Sequence, residues 1–133
     1  IAAYQKKVSK PILDRIDLHL TVNSVDTEHI LHTKTLKEYQ HSNLLKAVNT
    51  ARAQQKSRYK RSDYYNSYAT LSEVASLFFI EESAKKLAHT AAHTLSLSSR
   101  GLLKVFRIAR TIADLEGAST VTTQHISEAL QYR

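Results

Sequence analysis

Between Leu97 and Gly117 runs the stretch LSSRGLLKVFRIARTIADLEG, whose start, buried face and end are all legible, so the rest of the chain must fold to cover it. Ser98 stands at an N-cap, where a side-chain oxygen accepts one of the backbone N–H groups that a helix start leaves unpaired. Gly117 stands where a left-handed residue closes a helix, a conformation that carries a Cβ penalty for other residues. Between them Leu102, Val105, Phe106, Ala109, Ile112 and Ala113 recur at helical spacing and predict one buried stripe, flanked by Leu103, Ile108 and Leu115. Each of the larger side chains contributes roughly 1.5–3 kcal/mol when fully buried, so this helix requires docking partners. On the other face Arg100, Lys104, Arg107 and Arg110 are expected to stay out of the core, with Asp114 four residues beyond Arg110 and in reach of an ion pair. Arg100 is the odd member of that group. It falls in the first turn, where free N–H groups and the helix dipole favour an anion, so a cation there costs a little stability and suggests a task.

The remaining segments supply the partners. Leu44, Leu45, Val48, Ala51 and Ala53 predict an amphipathic helix from Ser42, a candidate N-cap, to about Arg58. Residues 63–70 read as a loop, a short helix opens at Leu71, and another begins near Glu81, with Glu81 and Glu82 at its positive end and Leu87, Ala88, Ala91, Ala92 and Leu95 on its buried side. Val121, ahead of a Thr122 cap, is placed to staple against Ile126 and start the last helix. Two glycines and one proline in 133 residues are too few turn formers for an all-β fold. The predicted class is therefore mainly α, a small bundle of four or five short helices over residues 42–133, preceded by a tail with one short β-strand. That strand is read from Leu18, Leu20 and Val22 alternating with His19, Thr21 and Asn23. Nothing else in the chain alternates for as long, which leaves it frayed, laid against the helices or paired with another copy. Upstream, residues 1–16 form a basic approach in which Pro11 starts a turn or short helix containing Ile12 and Leu13. Residues 26–41, polar and weakly periodic, with His29, His32, Lys34, Lys37 and His41, read as linker or marginal helix.

A formal net charge of +7 favours anionic partners. The absence of cysteine excludes a disulfide framework and a thiolate zinc site, and fits a cytoplasmic location. The longest apolar run, Leu77 to Ile80, is too short to span a bilayer, so no membrane partner is expected. Because the chain begins at Ile1 and contains no methionine, it reads as a piece of a longer protein.

One charged segment competes for a function of its own. Arg52, Lys56, Arg58, Lys60 and Arg61 run without an intervening acid, and Tyr59, Tyr64, Tyr65 and Tyr68 are interleaved or follow. Such residues can neutralise a phosphate backbone and stack on unpaired bases, which would make a basic helical DNA-binding module. The alternative is that the tyrosines pack a helix junction while the charges face water. His89 and His93 have the i, i+4 spacing of zinc-binding helices, but Thr90 replaces the needed Glu and no third ligand is evident, so no metal site is assigned.

SLSSRGLLKVFRIARTIADLEG followed by HISEALQYR resembles the C-terminal end of the magnesium-chelatase-like AAA+ ATPases, in the ComM/YifB-like branch, and KPILDRIDLHLTV at residues 10–22 resembles that family's GPLLDRIDLHVEV, departing at Lys10. The resemblance implies that residues 1–25 end a core ATPase domain, that 26–41 link, and that 42–133 form a helical lid. It implies an arginine finger at Arg15, reaching a neighbour's nucleotide, and a sensor-2 arginine at Arg100, coupling lid position to the phosphates. It also implies ATP and magnesium as cofactors of the longer protein, and as partners its own core domain and neighbouring subunits of a ring, a hexamer, with DNA as a further one. Guanidinium suits that work because its planar fork holds two phosphate oxygens where negative charge builds up. Read as residues alone, Arg15 could instead pair with Asp14 or Asp17, and Arg100 could be a solvated helix start. The chain carries no GxxxxGK[ST] loop, so ATP hydrolysis by it alone is not expected.

Overall fold

The structure is a computed structural model that describes residues 12, 15–22, 24 and 37–133, with side chains from His41 onward in the last range. The readings for residues 1–11, Leu13, Asp14, Asn23 and 25–36, including the Asp14 partner for Arg15 and most of the linker, lie outside the described residues. Among the described residues five α-helices follow one another: α1 (Lys37–Tyr59), α2 (Leu71–Leu77), α3 (Glu82–Thr94), α4 (Ser99–Glu116) and α5 (Thr123–Gln131), with a 3-10 turn at Asn66–Tyr68.

Helix α4 is the centre, and the other four helices and the 3-10 turn all pack on it. Its two ends form as their residues dictate. Ser98 Oγ accepts from the Gly101 N–H at 3.0 Å. Gly117 takes a left-handed φ of 77°, and the Ala118 and Gly117 N–H groups close back on the Ala113 and Asp114 carbonyls at 2.8 and 3.2 Å. Val105, Phe106, Ala109, Ile112 and Ala113 are buried as the spacing predicts, while Leu102 is half-buried. Phe78 from the end of α2, Ala84 and Ala88 from α3, and Val121, Ile126 and Ala129 around α5 complete the core. Thr70 and Glu73 cap α2 reciprocally, the Thr70 N–H donating to Glu73 at 2.7 Å. Ile80 and Val121 make an isolated parallel bridge that ties the α2–α3 junction to the α4–α5 connection.

Three expectations are corrected. Helix α1 begins at Lys37, so Ser42 lies within it, and its predicted apolar face is mostly in solvent: Leu44, Leu45, Val48 and Ala53 are exposed, with Ala51, Gln55 and Tyr59 buried. For Leu44, Leu45 and Val48 the reason is length, whereas Ala53 lies on the outer side of the docked part, between the buried Ala51 and Gln55. Twenty-three residues extend about 35 Å against about 27 Å for the eighteen of α4, so the first turns of α1 overhang the bundle. Second, residues 17–22 form no strand among the described residues, because no neighbouring edge offers a ladder for their N–H and C=O groups. The segment lies against the helices, one of the three arrangements expected for it. His19 donates its N–H to the Tyr132 carbonyl at 2.9 Å, and Leu18 and Leu20 wall a groove of about 530 Å³ whose other side includes Ile108, Ile112 and Leu115. Third, of the cations expected on the solvated face of α4 only Arg100 is exposed; Lys104 and Arg110 are buried and Arg107 is half-buried.

Candidate functional site

That third correction is the largest. Arg110 is fully buried, Lys104 is 6% exposed and Arg107 half-buried. A guanidinium survives burial only when each donor finds an acceptor. For Arg110 the acceptors are Asp114 on the next turn (3.1 Å), the carbonyls of Phe78 (3.1 Å) and Ser119 (2.8 Å), and the carbonyl of Ala118. The small side chains Ala109 and Ala113, flanking Arg110 and Asp114 in sequence, were the available signal that this i, i+4 pair could sit inside.

Asp114 holds a second cation. Arg58, near the end of α1, reaches it with both terminal nitrogens, at 2.5 and 2.8 Å. Asn66 donates to the same carboxylate at 2.8 Å and accepts from the Tyr59 hydroxyl at 2.9 Å, and its N–H donates to Gln55 at 3.1 Å. One carboxylate thus joins α1, the 3-10 turn and α4, while Arg110 carries the connection on to the end of α2 and the α4–α5 connection. Burial pulls the Arg58 guanidinium down, but its hydrogen bonds and attraction to Asp114 more than reverse this, leaving its pKa raised. For Arg110 burial prevails over the attraction of Asp114, and the like charge of Arg58 adds to it, so its pKa is lowered. Both stay charged at neutral pH, as guanidinium does throughout proteins. Burial pushes the Tyr59 phenol up to about 12. Asn66 carried no sequence signal for this role, because the contact forms only when the 3-10 turn folds back.

The basic run is therefore divided. Arg58 turns inward to Asp114. Arg52 lies over the Tyr65 ring at 5.0 Å and Arg61 over Tyr64 at 5.2 Å, both exposed, as are Lys56 and Lys60. Tyr59 and Tyr64 meet edge to face at 4.9 Å, so these two pack the junction between α1 and the loop. His89 and His93 face a small hollow at the α3–α4 corner, and among the described residues no three His, Cys, Asp or Glu side chains converge.

Arg15 and Arg100 are both exposed. Arg100 occupies the first turn of α4, one residue before Gly101, whose N–H is taken by the Ser98 cap. Arg15 ends a turn in which its N–H donates to the Ile12 carbonyl at 3.0 Å. Asp17, considered as its partner, pairs instead with Lys104 at 2.7 Å. The segment after Arg15 is fastened to α4 and the C-terminus: the Ile16 carbonyl accepts from Lys104 Nζ at 3.2 Å and from Arg133 at 3.1 Å. Lys104 is buried because this segment covers it, a contact from 88 residues away that no local pattern announces. Among the described residues no helix is long and apolar enough to cross a membrane.

The profile of the family described as magnesium chelatase, subunit ChlI C-terminal, matches residues 39–133. Two curated relatives extend the likeness over nearly the whole chain. The uncharacterized protein YifB of Escherichia coli is 32% identical over 131 residues, covering 98% of this chain and 25% of the relative. The competence protein ComM of Haemophilus influenzae is 28% identical over 133 residues, covering 100% and 25%. The chain thus spans about a quarter of the length of these relatives. With a profile that matches residues 39–133, the chain belongs to the magnesium-chelatase-like family of YifB and ComM, and corresponds to the C-terminal region of that family.

Proposed function

We propose that this chain is the C-terminal lid module of a magnesium-chelatase-like AAA+ ATPase, working within a longer protein as part of a hexameric cytoplasmic ring that remodels DNA or drives metal-chelatase work. The observation that carries the reading is Arg100: an exposed cation in the first turn of the helix on which the other four described helices pack, inside the region the family profile matches. ATP and magnesium belong to the longer protein, since this chain has no phosphate-binding loop. What the chain adds is positive charge. Arg100 meets the nucleotide phosphates as the sensor-2 arginine, and the buried Arg58–Asp114–Arg110 network makes the lid turn as one body when that contact forms. Arg15 is the finger that reaches a neighbouring subunit's nucleotide, where such a group is worth about 10³–10⁵ in rate.

Mixed rings of the full-length protein test this reading. Subunits carrying Arg15→Ala are combined with subunits whose phosphate-binding loop is disabled. Each is inactive alone, and the mixture regains ATP hydrolysis if Arg15 acts across the subunit boundary; a mixture as inactive as its components rejects the finger.

A second reading, a basic DNA-binding module without a nucleotide role, rests on the exposed Arg52 and Arg61 stacked over tyrosine rings. It requires salt-dependent DNA affinity that falls when Arg52, Lys56, Lys60 and Arg61 are replaced by alanine.

A further inference from the structure

The segment that follows Arg15 is held by three cationic donations onto two residues. Lys104 Nζ bridges the Ile16 carbonyl (3.2 Å) and the Asp17 carboxylate (2.7 Å), and the Arg133 guanidinium donates to the same Ile16 carbonyl (3.1 Å). Two further features serve this arrangement. The backbone of Tyr132 accepts the His19 N–H, so the C-terminus grips the segment at a second point. Gly101 occupies the first turn of α4. A Cβ there would stand 3.1 Å from the Arg133 guanidinium nitrogen and press it away.

Lys104 lies one helical turn beyond Arg100 on the same face of α4, about 6 Å along the axis. The carbonyl it holds belongs to the residue next to Arg15. We propose that Lys104 and Arg133, with Gly101 leaving room for the guanidinium, form a clamp that fixes the Arg15 segment to the first turns of α4, so that the arginine serving a neighbour's nucleotide and the arginine serving the lid move together. Lys104 and Arg133 are positioning residues, since neither is placed on the nucleotide; this inference rests on the proposed roles of Arg15 and Arg100. Its mechanical content is that lid movement in one subunit is transmitted to the finger aimed at the next. A displacement on the order of 1 Å at a catalytic group can cost about 10²-fold in rate, so a loosened clamp shows in turnover rather than in nucleotide affinity.

The test is steady-state ATP hydrolysis by the full-length protein with Lys104→Met, which keeps the aliphatic stem and removes the ammonium, Lys104→Arg as the conservative rescue, and Asp17→Asn, whose exposed carboxylate can be changed without opening the core. The clamp predicts that Lys104→Met lowers kcat about 10- to 100-fold with KM for ATP held, that Asp17→Asn lowers it less, and that Lys104→Arg restores most of it. In an Arg15→Ala background Lys104→Met should cause no further loss, because the finger it positions is gone. If Arg15→Ala lowers turnover while Lys104→Met and Asp17→Asn do not, or if the Arg15 and Lys104 losses multiply, the clamp is wrong and the finger stands. Unchanged turnover in Arg15→Ala itself rejects the finger and the clamp with it.

Discussion

Replacing Asp114 by alanine is the sharpest test of how this bundle is held together. The carboxylate accepts from Arg58 at 2.5 and 2.8 Å, from Arg110 at 3.1 Å and from Asn66 at 2.8 Å, and it has no solvent exposure. Removing it strands two guanidinium groups. Arg58, at 12% side-chain exposure, can turn toward water, whereas Arg110, at 0%, cannot. The cost is therefore that of breaking one buried pair, about 3–5 kcal/mol. At about 4–8 °C per kcal/mol for a domain of this size, Tm should fall by about 12–40 °C. Thermal and urea unfolding followed by far-UV circular dichroism measure it directly. The triple variant Arg58→Met, Arg110→Met, Asp114→Leu should recover part of the loss by removing the charges together. It cannot recover all of it, because the carbonyls of Phe78, Ala118 and Ser119 then lose their donor. An Asp114→Ala protein melting within about 4 °C of wild type would refute the reasoning, since the network would then be worth less than 1 kcal/mol.

Two further changes probe separate parts of the same fold. Burial raises the Tyr59 phenol to about 12, so the folded state favours the neutral form. That contribution is present in full below the ordinary phenol pKa of about 10 and is lost as pH rises from there to about 12; the loss, about 2–3 kcal/mol in urea titrations, should disappear in Tyr59→Phe. Gly117→Ala places a Cβ at φ 77° with only an ordinary contact to Gln54 at 3.9 Å, so its cost is conformational, about 1–2 kcal/mol by urea unfolding, and Gly117→Asn should cost less.

What could be read in advance were the features that local chemistry decides. The Ser98 cap, the left-handed Gly117 and the apolar stripe of α4 appear where the sequence puts them, because each depends on residues within a few positions of one another. The Thr122–Ile126 start of α5 followed for the same reason, with Val121 and Ile126 both fully buried. The misreadings share a cause. Arg110 and Lys104 look like a solvated face on a helical wheel, and their burial depends on acceptors 8, 9, 32 and 88 residues away in sequence. Alternation at residues 17–22 describes a strand that needs a partner edge, and among the described residues none is offered. In α1 the apolar positions Leu44, Leu45 and Val48 have the right period but overhang the bundle. The roles proposed for Arg15 and Arg100 come from motif resemblance alone, whereas the fastening of the Arg15 segment by Lys104 and Arg133 required the fold.

The central claim is that Arg100, on the best-anchored helix of the bundle, works on nucleotide. ATP hydrolysis by the full-length protein, wild type against Arg100→Ala, measures this most directly, with melting temperatures compared to exclude unfolding. The account predicts a fall of two orders of magnitude or more at an unchanged Tm, equivalent to at least about 2.7 kcal/mol of transition-state stabilisation. Turnover equal to wild type would make Arg100 a solvated residue at a helix start and bring the basic DNA-binding reading forward.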